Sequence, residues 1–174
     1  METIQNGIYS AGILPYTIID SEIYVLLGRE SYDKTYSDFG GKHDKLDNSI
    51  FDTACREFRE ESLFDKLSFE ILNNKKIIYT ESRTLKGNIY YMFLLKFQEN
   101  EIYEIIDNFM QNITDPNNLN KEKDNLIIMK LDDILSQIIK TTQKTIKYRK
   151  VFNNTIYLHH NFLKDFIKFQ DSLS

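Results

Sequence analysis

Between Ser49 and Ser62 the chain repeats apolar residues at Ile50, Ala54 and Phe58, the i, i+4, i+8 spacing of a single helical stripe. On the opposite face Glu57, Glu60 and Glu61 fall at i, i+3 and i+4, so three carboxylates stack side by side. A helix of this kind lays its apolar side on a core and turns its acid side to water or to a ligand. Asp47 or Ser49 is placed to cap its start. Just upstream, Phe39-Gly40-Gly41-Lys42 supplies a glycine pair, which lets backbone amides and carbonyls approach a bound group closely. Two readings stay open from these residues. The glutamates form a solvated face with Arg56 and Arg59 as partners, or they surround a hard divalent cation that relieves their mutual repulsion. Oxygen-only donors suit Mg²⁺ or Mn²⁺, and no Cys/His cluster suggests zinc.

The surrounding pattern mixes strands and helices. Ile8–Ile19 reads as a strand, Asp20-Ser21-Glu22 as a turn and Ile23–Leu27 as its hairpin partner. Lys76–Thr80 and Tyr90–Phe97 read as strands around a turn at Lys86-Gly87-Asn88, and Ile102–Ile113 as a helix broken at Asp115-Pro116. Leu126–Leu131 reads as a short strand, and Asp132-Asp133 opens another helical stretch. Thr155–Phe169 places Leu158, Phe162 and Phe166 on one side and predicts a C-terminal helix carrying the pair His159-His160. Without a strict βαβ rhythm, this order favours a mixed α/β sandwich over a doubly wound sheet.

The 174 residues fit one domain, 1–174. The lone Cys55 forms no internal disulfide and is expected to pack as a small apolar side chain. No apolar run reaches the roughly 18–20 residues of a membrane span, and Met1–Asn6 lacks the features of a signal peptide. A cytoplasmic location is the expectation. A net charge of −4 argues against coating nucleic acid through phosphate neutralisation, though not against a small phosphorylated ligand held by local cations.

The segment from Gly41 through Arg56-Glu57-Phe58-Arg59-Glu60-Glu61 to Phe64 resembles the Nudix box. Arg56 to Glu61 matches the core of that motif throughout, and Asp47 stands where its first glutamate is expected. Ser10–Pro15 and Val25–Arg29 resemble the family's first two strands, and the likeness runs from about Ser10 to Phe64. There are three departures. Residues 48–55 between Asp47 and Arg56 are one more than the motif holds, Asp47 is shorter than glutamate, and Leu63 replaces the closing glycine.

The resemblance implies a Nudix fold, an α/β/α sandwich with a mixed β-sheet. It also implies a Mg²⁺- or Mn²⁺-dependent pyrophosphohydrolase cleaving a nucleoside diphosphate linked to another moiety by metal-activated water. Glu57, Glu60 and Glu61 would hold metal with the Gly41 carbonyl, and Arg56 would orient the catalytic Glu57 and Glu60. Glu122 falls where the family often adds a further ligand or base; it reads equally as a loop glutamate, with Asp124 and Glu99 as substitutes. Arg29 and Lys42 are candidates to meet a phosphate, although surface ion pairing explains each. Phe39, Tyr79 and Tyr90 are candidates to stack on a base, with core packing as their default. His43 is a lone loop histidine. The cations Lys140, Lys144, Lys147, Arg149 and Lys150 form either a solvated helix face or a phosphate-binding run. A small nucleotide-derived diphosphate is the expected substrate, capped RNA the enzymatic alternative, and a silent nucleotide- or protein-binding module the non-enzymatic one.

Overall fold

A computed structural model describes residues 9–66, 78–83, 87–116, 122–139, 148–151 and 156–159; in 136–139, 148–151 and 156–159 only the backbone is described. β1 (Tyr9–Ile19) and β2 (Glu22–Glu30) form a hairpin whose turn holds Asp20 and Ser21 at positive φ, 51° and 67°. Positive φ at both turn residues is the twist that two-residue hairpins favour. β3 (Thr35–Ser37) and β4 (Phe39–Lys42) follow, then α1 (Ile50–Ser62), β5 (Ile78–Arg83) and β6 (Ile89–Lys96). α2 (Glu99–Asn112), β7 (Lys123–Lys130), α3 (Leu131–Ile139), β8 (Tyr148–Val151) and β9 (Ile156–His159) complete the described chain. No described helix is long and apolar enough to cross a membrane.

The strands make one mixed sheet in the order β5-β6-β1-β2-β3-β9-β8, with β4 paired to β1 and β7 paired to β2. β1 runs parallel to β6, and β3 parallel to β9; the other pairings are antiparallel. The C-terminal half of β1 pairs with β2 from Tyr16 to Ile19, while its N-terminal half pairs with β4 from Ser10 to Ile13. β1 thus changes partner midway, and the glycine strand fills the position left beside its first half.

Period-two alternation sends side chains to both faces of this sheet. Ala11, Ile13, Leu26, Phe93 and Leu95 join Ala54 and Phe58 of α1 and Ile102, Ile105 and Phe109 of α2 in one core. Leu14, Val25, Leu27, Met92 and Leu94 face the other way, against Leu131 and Ile134 of α3. Helices on both faces of a mixed sheet make the expected α/β sandwich.

The structure corrects the reading of the C-terminus. Residues 156–159 form β9, pairing Thr35 with Tyr157 and Tyr36 with Leu158, so His159 lies in a strand. β3 leaves an edge to be paired, and Ile156-Tyr157 suits a ladder better than a helix. Arg149 and Lys150 likewise belong to β8 rather than to a helix face. His160, Phe162, Phe166, Lys140, Lys144 and Lys147 lie outside the described residues.

Candidate active site

α1 begins where the sequence places a cap. Ser49 has extended backbone (φ −152°, ψ 165°), and its Oγ accepts the Asp52 N–H at 3.0 Å. Asp52 returns the favour by accepting the Asn48 N–H at 3.1 Å. The helix ends on Leu63, at φ 57° and ψ 25°, so a leucine takes the left-handed position that usually falls to glycine. Asn108 of α2 donates to the Leu63 carbonyl and fixes that end.

The cap and the stripe set α1 across β4, with Phe58 buried against Phe39 at 5.1 Å between ring centroids. The next turns bring Arg56 and Glu57 over the glycine pair. A Cβ on Gly41 would lie 2.5 Å from a Glu57 carboxylate oxygen, so only glycine leaves room for that carboxylate. Arg56 Nη1 donates to Glu57 Oε1 at 2.8 Å and to Glu60 Oε2 at 3.1 Å. Its Nη2 donates to the Lys42 carbonyl at 2.7 Å and to Asp47 Oδ2 at 3.1 Å, and its Nε to Asp47 Oδ1 at 3.1 Å. One guanidinium therefore ties the glycine strand, the connecting loop and two helix carboxylates together. Charge-assisted bonds of this kind fix direction as well as contact.

The electrostatics follow from this arrangement. Burial works to raise the Asp47 carboxyl, but hydrogen bonds from Arg56, the Asp44 N–H and Thr53 outweigh it and hold it below the usual carboxylate range. Glu57 is pushed up, first by burial; Arg56 opposes this, while the charges of Glu60 and Glu122 add to it. Glu122 thus stands near enough to Glu57 to be felt, although it comes from the residue just before β7. Its carbonyl accepts the Ser31 N–H at 2.8 Å, and its side chain is exposed.

Glu61 departs from the expected grouping. It is 4% exposed and turned inward, its Oε2 accepting the Gly40 N–H at 2.7 Å and its Oε1 3.5 Å from Lys123 Nζ. Lys123 is 2% exposed, donates to Ser37 Oγ at 2.8 Å and is paired with Glu30. Glu30 sits opposite Lys123 across the β2–β7 ladder, and Gly28 leaves space for the lysine stem, whose Cδ would lie 2.9 Å from a Cβ there. Burial would lower the Lys123 ammonium, but Glu61, Glu30 and Asp38 together raise it. The Glu61 carboxyl is raised well above the usual range, first by burial, since several acids face a single ammonium. Asp38 is itself buried and accepts the Tyr90 hydroxyl at 2.5 Å. Sequence reading missed Lys123, Glu30 and Asp38.

The other candidates are placed as follows. Phe39 is fully buried against Phe58 and belongs to the core, the packing role that was its default. Tyr90 is committed to Asp38. Tyr79 is 58% exposed, its ring 6.2 Å from Tyr91. Arg29 donates to Asp124 at 2.6 Å, and Lys34 pairs with the same carboxylate, so Asp124 is neutralised and makes a poor substitute for Glu122. Glu99 opens α2 and is exposed there. The Lys42 side chain is exposed, as is His43, whose ring lies 4.6 Å from that of Tyr9. Burial pushes the Cys55 thiol up to about 12, as suits an apolar packing role.

Among the described residues no three acidic, histidine or cysteine side chains converge as a metal ion requires. The two carboxylates that Arg56 holds together are those of Glu57 and Glu60. Arg56 engages Glu57 Oε1 and Glu60 Oε2 and makes no bond to the second oxygen of either. Carboxylate oxygens are the donor type that Mg²⁺ and Mn²⁺ take. A groove of about 510 Å³ between α1 and α2, lined by Arg59, Glu60, Lys66 and Asn108 among others, adjoins this cluster on the Glu60 side.

No family model matches the chain. An uncharacterised protein, L534, of Acanthamoeba polyphaga mimivirus is 41% identical over 71 residues, a match spanning 35% of this chain and 23% of that protein. Among solved structures, the Ap4A hydrolase of C. elegans aligns with a TM-score of 0.54 at 16% identity, over 95% of this chain and 97% of that one. The NUDIX domain of Shewanella oneidensis NrtR, solved with ADP ribose, gives 0.52 at 12%, over 98% and 91%. A mutT/nudix family protein of Listeria innocua gives 0.56 at 13%, over 98% and 95%. The mixed sheet with helices on both faces is the fold of these Nudix structures.

Proposed function

We propose that this chain is a divalent-metal-dependent Nudix pyrophosphohydrolase that cleaves a nucleoside diphosphate linked to another moiety. The observation that carries this reading is the single Arg56 guanidinium holding the carboxylates of Glu57 and Glu60 together, with Glu57 seated against Gly41. Mg²⁺ or Mn²⁺ would be held by Glu57, Glu60 and Glu122, and when bound supplies charge neutralisation of the phosphate oxygens and a water of lowered pKa. Arg56 keeps the two glutamates in one orientation, so no reorganisation is needed when substrate arrives. The bare backbone of Gly41 lets Glu57 sit against β4, and the exposed Lys42 beside it would meet a phosphate. The C. elegans and Shewanella neighbours, named for Ap4A and solved with ADP ribose, support a small nucleotide-derived substrate.

The test is a chromatographic product screen with Mg²⁺ or Mn²⁺ over nucleoside triphosphates, ADP-ribose, NADH, dinucleoside polyphosphates and capped RNA, run on wild type and Glu60→Gln together. Turnover by wild type and its loss in the variant are expected. A folded wild type that binds these nucleotides without hydrolysing any would favour a silent binding module instead.

A further inference from the structure

The groove between α1 and α2 has no part in the proposed chemistry, although Glu60 forms a piece of its wall. Its volume of about 510 Å³ is that of a small-molecule site. We infer that this groove receives the group carried on the far side of the diphosphate, and that this group is a neutral polyol such as a sugar. The inference rests on the reading of the chain as a pyrophosphohydrolase and narrows its substrate to a nucleoside diphosphate sugar. Water added across the anhydride of such a substrate gives a nucleoside monophosphate and a sugar phosphate.

Three observations carry it. The first is continuity: Glu60 lines the groove and is also held by Arg56 beside Glu57, so a substrate lying on those two carboxylates continues into the groove. The second is charge. Arg59 and Lys66 share the lining with Glu60, Asp65 and Asp115, two cations against three carboxylates, and Lys66 is further paired with Glu104. An anionic extension, whether a second nucleotide or an RNA chain, meets more negative charge than positive here; an uncharged group escapes that repulsion. The third is the donor set. Arg59 and Asp65 are exposed and join no ion pair among the described residues. One offers a planar fan of donors and the other a pair of acceptor oxygens, and hydroxyl groups both donate and accept. Neighbouring hydroxyls of one sugar ring satisfy both at once. The facing wall is already built, with Asn108 donating to the Leu63 carbonyl and Asn112 to the Asn108 carbonyl at 2.7 Å.

The test compares ADP-glucose with the methyl ester of ADP, which keeps the diphosphate and puts one carbon in place of the sugar. Initial rates are measured with Mg²⁺ or Mn²⁺ on the full chain as wild type, Arg59→Ala and Asp65→Ala, with circular dichroism to confirm that each is folded. Wild type is expected to favour ADP-glucose by about tenfold or more in kcat/KM, because the sugar hydroxyls meet charged partners. Each variant is expected to lose about tenfold on ADP-glucose through a higher KM, so its preference over the methyl ester shrinks. A merely structural role would lower both substrates together. Equal use of the two substrates by wild type, or variants that lower both alike, would overturn the sugar assignment. So would cleavage of a dinucleoside polyphosphate in preference to ADP-glucose; in each of these cases the hydrolase reading would stand. A folded wild type that hydrolyses no nucleotide would remove that reading, and this proposal with it.

Discussion

Arg56 and Asp47 meet as a fork: Nε lies 3.1 Å from Oδ1 and Nη2 3.1 Å from Oδ2. The aspartate reaches the guanidinium from the loop before α1, one methylene shorter than the glutamate of the Nudix motif. Its second support is Thr53, whose Oγ1 donates to Oδ2 at 2.8 Å. The fork leaves Nη1 free to turn toward Glu57 and Glu60, so the geometry of the acidic pair begins at Asp47.

A lysine at 56 keeps the charge but loses the planar set of donors that this geometry uses. Arg56→Lys is expected to lower kcat/KM by about 10–100-fold, with far-ultraviolet circular dichroism unchanged. A variant as active as wild type would show that the fork does not orient the site.

Because the Asp47 carboxyl is held below its ordinary value of 3.8, its ionised form stabilises the folded chain. That stabilisation is fully present above the unfolded value and is lost as the pH falls through the lower folded value. Wild type should therefore be more stable than Asp47→Asn at neutral pH. The gap should narrow below pH 3.8. Urea unfolding of both proteins along a pH series checks this.

Gly41 offers a separation of site from fold. An added Cβ would meet the end of the Glu57 side chain at 2.5 Å rather than backbone, so the carboxylate can swing aside. Gly41→Ala is expected to cost about 1 kcal/mol or less in stability but about 10–100-fold in turnover. Parallel melting curves and initial rates read the two effects.

Leu63 carries a left-handed backbone and also packs on the core beside α1. Leu63→Ala loses the packing and keeps the strain, whereas Leu63→Gly loses the packing and relieves it. The glycine variant is expected to be the more stable of the two by about 1 kcal/mol. Equal stability would mean that the left-handed turn is not strained.

What could be read in advance divides along physical lines. The stripe Ile50, Ala54, Phe58 and the opposing glutamates are local periodicities, and α1 follows them within a residue. The hairpin turn at Asp20-Ser21 is local too. Lys123 was hidden because its burial depends on partners far along the chain: Glu30 and Ser37 on other strands, and a glycine at 28 that makes room. Among Lys121, Glu122 and Asp124 it reads as one more loop charge. The inward turn of Glu61 was hidden for the same reason, since helical spacing places a carboxylate on a face without saying what waits there. Phe39 stayed open between two roles because an aromatic next to a glycine pair suits a ligand as well as a core, and its packing on Phe58 is long-range. β9 was missed because its ladder is offered by the edge of β3, a long-range circumstance that a helical stripe outweighs on paper.

The most direct test is hydrolysis of ADP-ribose and Ap4A by wild type and Glu57→Gln, with Mg²⁺ or Mn²⁺ present and then with the metal removed by chelation. Cleavage at the phosphate anhydride by wild type, lost on chelation and in Glu57→Gln, is the predicted result. Cleavage that persists without metal, or a Glu57→Gln chain as active as wild type, would contradict the account.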